Sequence, residues 1–193
     1  MMQLQHRDRS MTRDMAAVAG GLAVGVITSR LLPPLLASAT GSVRARLGQD
    51  PFARLTRDHR RIASLLDQMV QASDDSAARR MALFLAVKRT LAKHALAEED
   101  VVYPLLHREA GAAEATRQLY AEHAEMKIHL YELETALRGG ASWAGRVSAL
   151  QTLVARHIRE EEDVQFPKLQ ALLDERERQR VSGQIHREEA LIV

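Results

Sequence analysis

Apolar residues recur every three or four positions along most of the chain after residue 50, which is the spacing of one buried face of an amphipathic helix. The first such stretch carries Leu55, His59, Ile62, Leu65, Leu66 and Met69 at this spacing. Three further stretches follow the same period, and none shows the alternation of a half-buried strand. The pattern therefore predicts an all-α protein.

Start and stop signals divide this region into four helices. Asp50-Pro51 offers an acidic N-cap followed by proline, Ser76 is a second candidate N-cap, and glycines at 111 and 139–140 end two of the helices. Because the breaks are only a few residues long, successive helices are expected to be antiparallel neighbours. The prediction is an antiparallel up-down-up-down four-helix bundle.

The expected organisation has three parts. An apolar segment and linker occupy residues 1–49, the bundle occupies 50–174, and a charged tail occupies 175–193. The alternating acids and arginines of the tail predict a solvated extension of the fourth helix, broken at Gly183.

Composition removes several classes of site. Aromatic residues make up only 4% of the chain, so a helical core must be mostly aliphatic, and the absence of cysteine excludes disulfides, thiolate zinc sites and iron–sulfur clusters. A formal net charge of +2 is too small to indicate a nucleic-acid partner, and none is expected.

The chain contains a duplicated unit. The sequence HALAEEDVVYPLL, beginning at His94, recurs 63 residues later as HIREEEDVQFPKL, beginning at His157, with seven of thirteen positions identical. His59 and His123 are offset by 64 residues and precede the two copies by 35 and 34 residues. Each copy therefore has the form His…His-x-x-x-Glu within helical sequence.

This spacing predicts a metal site. A histidine and a glutamate four residues apart lie on one face of a helix. A lone histidine on such a face is more often a packed core residue, but four of them at matched spacing are not independent. Buried carboxylates cost several kcal/mol unless they are paired or bind a metal. The candidate ligands are His59, His94, Glu98, His123, His157 and Glu161.

The duplication also predicts how two metals would share these ligands. One metal takes His59 and His94, the other takes His123 and His157, and the two glutamates bridge them. About two positions of each octahedron would remain for small ligands. Four neighbouring acids, of which at least half are expected to be solvated, are candidates to orient the ligands: Glu99, Asp100, Glu162 and Asp163.

With these residues in place, the chain resembles the hemerythrin-like (HHE cation-binding) domains over about residues 50–174. The resemblance implies an antiparallel four-helix bundle around two iron ions, with manganese or zinc as poorer alternatives. Oxygen-carrying hemerythrins have a further histidine where this chain has Lys127, and an aspartate where it has Glu162. We therefore expect metal binding without reversible oxygen carriage. The Lys127 ammonium is expected to point away from the metals or to contact an acid or a metal-bound anion.

Two prolines lie within the predicted helices. Pro104 and Pro167 each follow a repeat histidine by ten residues. A proline inside a helix removes one backbone hydrogen bond and presses on the carbonyl four residues earlier. Matched helix kinks are therefore expected just beyond the two His-Glu pairs.

The segment at residues 16–36 is apolar and carries small residues at every fourth position: Ala17, Gly21, Gly25 and Ser29. The spacing suits close helix contact, either in a membrane or between copies of the chain. The uninterrupted run from Ala16 to Ile27 is shorter than a spanning helix, and Ala37-Ser38-Ala39 lies far from it for a cleavage site. Cytoplasmic or membrane-associated placement is favoured over export with cleavage.

Two functions fit the predicted site. The first is a non-haem di-iron protein that binds or reacts with oxygen, peroxide or nitric oxide. The alternative is an iron-holding, or iron- or redox-sensing, module without turnover. Whether the protein is an enzyme stays open at this stage.

Overall fold

The structure is a computed structural model, and it describes residues 50–73, 76–139 and 143–192. The predicted apolar segment at residues 16–36 lies outside the described residues. Within the described ranges the chain is helical apart from short connections, and no strand occurs there. The predicted all-α class is confirmed. None of the helices in these ranges is both long enough and apolar enough to cross a membrane.

In the described ranges, four long helices carry the predicted periodicity and three shorter helices accompany them. In chain order the helices are α1 Pro51–Gln71, α2 Ala77–Ala97, α3 Tyr103–Glu109, α4 Ala113–Gly139, α5 Trp143–Glu160, α6 Phe166–Leu172 and α7 Glu175–Glu189. A π-helical turn, Glu98–Val102, joins α2 to α3, and a second, Glu161–Gln165, joins α5 to α6.

The predicted helix ends are largely observed. The Asp50 carboxylate accepts a hydrogen bond from the Phe52 N–H, and the Ser76 hydroxyl accepts one from the Arg79 N–H. Gly111 has a φ of 59°, the left-handed conformation that glycine adopts readily, and lies just beyond α3. The two side chains satisfy N–H groups in the first turn that have no partner within the helix, and Gly111 lets the chain turn after α3.

The four long helices pack in a ring. Helix α1 contacts α2 and α5, and α4 contacts the same two helices on the other side. The core lies inside this ring as two apolar clusters. One contains Leu66, Phe84, Leu133 and Val147, and the other contains Phe52, Leu106, Leu119 and Leu169 among its members.

The C-terminal segment differs from the sequence-based expectation. Instead of extending the fourth helix and breaking at Gly183, the chain turns at Leu173 and forms α7 straight through that glycine. The helix begins with a capping box between Asp174 and Glu177, and it packs on α1, α2 and the first π turn. Val181 and Ile185 are buried, and both belong to the second apolar cluster. Burial of these two side chains outweighs the charged composition that suggested a solvated tail.

Candidate metal centre

All six predicted ligands lie together at the centre of the helical ring. The four histidines are 2–3% exposed, and Glu98 and Glu161 are fully buried. Along α1, α2 and α4 the histidine falls between residues of the two apolar clusters, whereas His157 follows first-cluster residues in α5 and precedes second-cluster residues in α6. The polar site is therefore a layer between two apolar halves of the core.

The first group of donor atoms comes from α1, α2 and the two π turns. The Nε2 atom of His59 lies 3.1 Å from Glu161 Oε2 and 3.7 Å from Glu98 Oε1, and His94 Nε2 lies 3.1 Å from the same Glu98 oxygen. One donor atom from each of these four residues lies within 4.8 Å of the other three. They can surround a single cation.

The second group comes from α4 and α5 together with Glu98. The Nε2 atoms of His123 and His157 are 3.1 Å apart, and Glu98 Oε2 lies 3.5 Å from His123 Nε2. Since Glu98 faces both groups through different oxygens, it is suited to bridge two cations. Glu161 Oε2 also lies 3.3 Å from His157 Nε2, so the second glutamate is near both positions.

The hydrogen bonding of the donor atoms indicates that they suit a metal ion. Six buried polar atoms of the cluster have no hydrogen-bond partner: His59 Nε2, both ring nitrogens of His94, both carboxylate oxygens of Glu98, and Glu161 Oε2. Buried polar groups without partners are rare because they forfeit hydration without replacement. Five of the six face the two groups of donors, and coordination of a cation would satisfy them.

Three of the four histidines are held from behind by acids. His59 Nδ1 lies 2.7 Å from Glu162, His123 Nδ1 lies 3.0 Å from Glu99, and His157 Nδ1 lies 2.9 Å from Glu122. A carboxylate can only accept, so in each pair Nδ1–H donates and Nε2 is left to face the centre.

Half of the acids predicted to orient ligands do so. Glu99 and Glu162 contact histidines, whereas Asp100 and Asp163 are exposed. Glu122 was missed by the sequence analysis, although an acid directly before each upstream histidine, Asp58 and Glu122, is a detectable repeat signal.

The charges of the centre shift the pKa values of its members. Burial disfavours the His59 imidazolium, but Glu161 and Glu98 at close range outweigh it and raise the pKa to about 10. In His123, likewise, burial is outweighed by Glu98 and Glu99, and the pKa rises to about 9. Burial works against the Glu98 carboxylate, yet His94 and the other imidazoles hold its pKa well below the usual range.

The two π turns begin at the two candidate bridging glutamates. The N–H of Tyr103 donates to the carbonyl of Glu98, and that of Phe166 donates to the carbonyl of Glu161, each five residues back. Pro104 and Pro167 come next, each in the first turn of the following helix. The sequence predicted a kink at these prolines, and the structure has a wider helical turn, which relieves the contact between proline and the carbonyl four residues earlier.

Tyr103 is a further polar residue of the centre that sequence reasoning missed. It is fully buried, and its hydroxyl donates a hydrogen bond of 2.8 Å to Glu161 Oε1. The Tyr103 hydroxyl oxygen also lies 3.0 Å from His123 Nε2 and 3.4 Å from His157 Nε2. Phe166, its counterpart in the second copy, stacks on the His59 ring with centroids 5.8 Å apart.

Lys127 points out of the centre, as expected. Its side chain is 63% exposed, and the ammonium lies 2.8 Å from Glu99 Oε1, the oxygen that also accepts from His123. An apolar groove of about 250 Å³ passes this lysine and reaches His123 between α2 and α4. The groove therefore lies beside one member of the second group of donors.

Comparison with known proteins gives a consistent result. The family model of the hemerythrin HHE cation binding domain matches residues 50–169. The chain is 30% identical over 109 residues to a protein named DNA nickase from Nostoc sp., covering 56% of this chain and 30% of that protein. It is also 30% identical over 124 residues to an uncharacterized hemerythrin-like protein of Schizosaccharomyces pombe, covering 63% of this chain and 60% of that one. The chain thus spans less than two thirds of either relative, and no solved structure matches it.

Proposed function

This chain belongs to the hemerythrin HHE cation binding domain family, and from that membership we propose that it is a non-haem di-iron protein that binds or reacts with oxygen, peroxide or nitric oxide. The ligands in this proposal are the four histidines and the two bridging glutamates, His59, His94, Glu98, His123, His157 and Glu161. The observation that carries the proposal is the set of buried, unpartnered donor atoms that face one another between two apolar clusters.

The choice of iron rests on the donor set and on the proposed chemistry. Imidazole with carboxylate suits iron, manganese and zinc, and only a redox-active metal supplies electrons to oxygen, peroxide or nitric oxide. The surrounding side chains fix the donors in place, since Glu162, Glu99 and Glu122 each hold the Nδ1–H of one histidine. The apolar clusters flank the ligand layer on both sides.

We also infer that the four long helices run as an antiparallel up-down-up-down bundle. Two features support this: the connections between successive long helices are short relative to the helices, and each long helix packs against two others in a ring. The two π turns then bring both glutamates to the same level as the four histidines.

The nickase relative does not extend this proposal to DNA. The matched region is 30% of that protein, and the part of the chain that the structure describes has its distinctive polar chemistry in the buried histidine layer rather than on the surface. Small ligands fit a centre whose donor side chains are buried better than a polymer does.

Metal analysis and peroxide assays on the full-length protein test the proposal. We expect two iron ions per chain, loss of most iron in Glu98→Ala, and retention of both in the control Glu125→Ala, whose side chain is 54% exposed on α4. Iron-dependent consumption of peroxide would support turnover. Two bound irons without reaction would favour iron holding or sensing, and a preparation that binds no metal would refute the proposal.

A further inference from the structure

Two cavities lie on either side of the same side chains between α2 and α4. The outer cavity is the apolar groove of about 250 Å³ beside Lys127. The inner cavity is a space of about 10 Å³, lined by the four candidate histidines and by apolar residues. Leu91, His123 and Met126 line both cavities. These three side chains therefore form the partition between the groove and the histidine layer.

One member of the partition is held in place and two can move. His123 is fixed by Glu99, whose carboxylate lies 3.0 Å from the ring Nδ1. Leu91 on α2 and Met126 on α4 are 7% and 5% exposed, and both belong to the first apolar cluster. Neither carries a strong hydrogen-bonding group, and an unbranched methionine changes its rotamer readily. Rotation of these two side chains would connect the cavities without a shift of the helices.

The groove exists because α2 carries small side chains where it faces α4. Ala92 and Ala95 are three residues apart, so they lie on one side of the helix, and both line the groove. Met126 and Leu130 line it from α4. A methyl group fills little of the space between two helices, and one larger apolar side chain at Ala92 would occupy much of it. That residue is exposed at the surface, so the groove can be filled without disturbing the core.

The chemistry of the partition favours apolar molecules over polar ones. Leu91 and Met126 offer hydrocarbon and a thioether, which do not replace the hydrogen bonds of a hydroxyl group. A peroxide molecule that passes them gives up its hydration, whereas dioxygen and nitric oxide make weak hydrogen bonds and lose little. Apolar cavities in proteins bind guests such as xenon and stay free of water. The groove has the lining that such a guest requires.

We propose that Leu91 and Met126 form a gate, which admits apolar diatomic molecules from the groove between α2 and α4 to the histidine layer and retards peroxide. This inference rests on the proposed function and narrows its ligands to dioxygen and nitric oxide. The gate acts on entry alone, and no bond is made or broken at either side chain.

Xenon provides a test that does not depend on the reactivity of the centre. We expect crystals of the full-length protein under xenon pressure to hold a xenon atom in the groove against Met126, and crystals of Ala92→Phe to lack it. Ala82→Phe is the matched control, because Ala82 is exposed on the same helix and lines neither cavity, and it should keep the xenon site. An empty groove in the wild type would overturn the proposal. Protein density there, from residues 16–36 or from a second copy, would overturn it as well.

Rates of ligand binding test whether the gate lies on the route to the centre. In stopped-flow measurements on reduced, iron-loaded full-length protein, Ala92→Phe should slow nitric oxide binding several-fold, and Ala82→Phe should leave the rate unchanged. Met126→Ala widens the partition, so it should speed the reaction with peroxide more than it speeds nitric oxide binding. Should Met126→Ala fail to fold, the surface variant Ala92→Phe still decides, because it touches no core residue.

The outcomes separate this inference from the proposed function. If Ala92→Phe loses the xenon site and keeps its iron, yet binds nitric oxide as fast as the wild type, the ligand enters elsewhere and the gate is wrong while the centre stands. An equal gain for peroxide and nitric oxide in Met126→Ala would overturn the selectivity. A wild type that binds xenon in the groove but no iron would overturn the proposed function, and the gate with it.

Discussion

Glu122 and His157 form a buried pair across α4 and α5, with the Glu122 Oε2 atom 2.9 Å from Nδ1 of the imidazole. Both side chains are at most 5% exposed, and the Glu122 carboxyl has a lowered pKa because it accepts from His157. The pair fixes the tautomer of the ring, so that Nε2 faces the centre as a lone-pair donor. Helix α4 thus contributes both a candidate ligand, His123, and the support for another.

Substitution of Glu122 should weaken metal binding without removing a ligand. Loss of a carboxylate behind a ligating histidine typically costs about 10- to 100-fold in metal affinity. We expect this loss for Glu122→Gln in a competition titration against a chelator. Glu125→Gln, three residues along the same helix and 54% exposed, is the control. Equal affinity in the two variants would show that Glu122 does not orient His157.

The equivalent support is absent on the other side of the centre. In the duplicated unit, Asp58 takes the place of Glu122 and His94 that of His157, yet His94 Nδ1 has no hydrogen-bond partner in the described part of the chain. Aspartate is one methylene shorter than glutamate, and the Asp58 carboxylate makes no hydrogen bond to His94 Nδ1. The two halves of the site are therefore unequal in the support of their ligands as well as at Tyr103 and Phe166.

Of the ion pair Glu99 and Lys127, we expect only the glutamate to be needed for metal affinity. Glu99 accepts from both His123 Nδ1 and the lysine, which together hold its pKa at about 2. The lysine is largely exposed, and such ion pairs contribute about 0–1 kcal/mol. We expect Glu99→Gln to lower metal affinity as Glu122→Gln does, and Lys127→Ala to change it little. A larger effect of the lysine substitution would show that it acts on the centre directly.

Much of this arrangement could be predicted from the sequence, for a definite physical reason. A helix of 3.6 residues per turn places i and i+4 on one face, so the His-Glu spacing predicts that the six candidate ligands converge. The same rule fails for Tyr103, which follows Glu98 by five residues. In an α-helix the side chains at i and i+5 lie on different faces, and only the π turn brings Tyr103 onto the face of Glu98. The two prolines signalled a local departure from the α-helix but not its kind.

The C-terminal helix was missed for another reason. Its composition is dominated by arginine and glutamate, and only two aliphatic residues, Val181 and Ile185, lie four apart on its buried face. Two positions are a weak periodic signal in a segment of this length. A capping box at Asp174 and Glu177 was the clearer indication that a new helix starts there.

Helix α7 should stabilise the fold and protect the centre. It packs on the first π turn, which carries Glu98, and Ile185 is fully buried beneath it. Replacing a buried isoleucine by alanine typically costs about 2–5 kcal/mol. We expect Ile185→Ala to lower the free energy of unfolding by this amount in urea denaturation, and to speed metal loss to a chelator.

The control for this helix is Leu191→Ala, whose side chain is 54% exposed just beyond α7. It should leave stability within about 0.5 kcal/mol of the wild type. If Ile185→Ala destabilises the fold but metal loss is unchanged, α7 supports the core without shielding the site.

Removal of residues 1–48 should leave a folded, metal-binding domain. All candidate ligands lie after Asp50, and the family match begins at that residue. We expect the truncated protein to bind the same number of metal ions as the full chain, while membrane fractionation and sedimentation of the two forms compare association with membranes or with a second copy through residues 16–36. Failure of the shortened chain to bind metal would place the domain boundary further upstream.

The pKa shifts at the centre make the chelated protein sensitive to high pH. A histidine whose pKa is raised on folding contributes stability that is complete below its unfolded value of 6.5 and is lost as the pH rises through the folded value. For His59 and His123 the folded values are about 10 and about 9. Glu98 and Glu99 have the opposite sign, and their contribution is lost as the pH falls below their unfolded value of 4.5.

Stability of the metal-loaded protein should depend on pH differently. A ligating imidazole carries no proton on its metal-facing nitrogen, so raising the pH removes nothing from the loaded form and frees ligands in the chelated form. Each shifted histidine costs the chelated protein up to about 1.4 kcal/mol per pH unit above 6.5. The difference in melting temperature between loaded and chelated protein should therefore widen steadily from pH 6.5 to 9. We expect calorimetry at matched ionic strength to show this widening in the wild type and a smaller one in His123→Gln. A difference that stays constant with pH in the wild type would mean that metal binding does not displace protons from these two histidines.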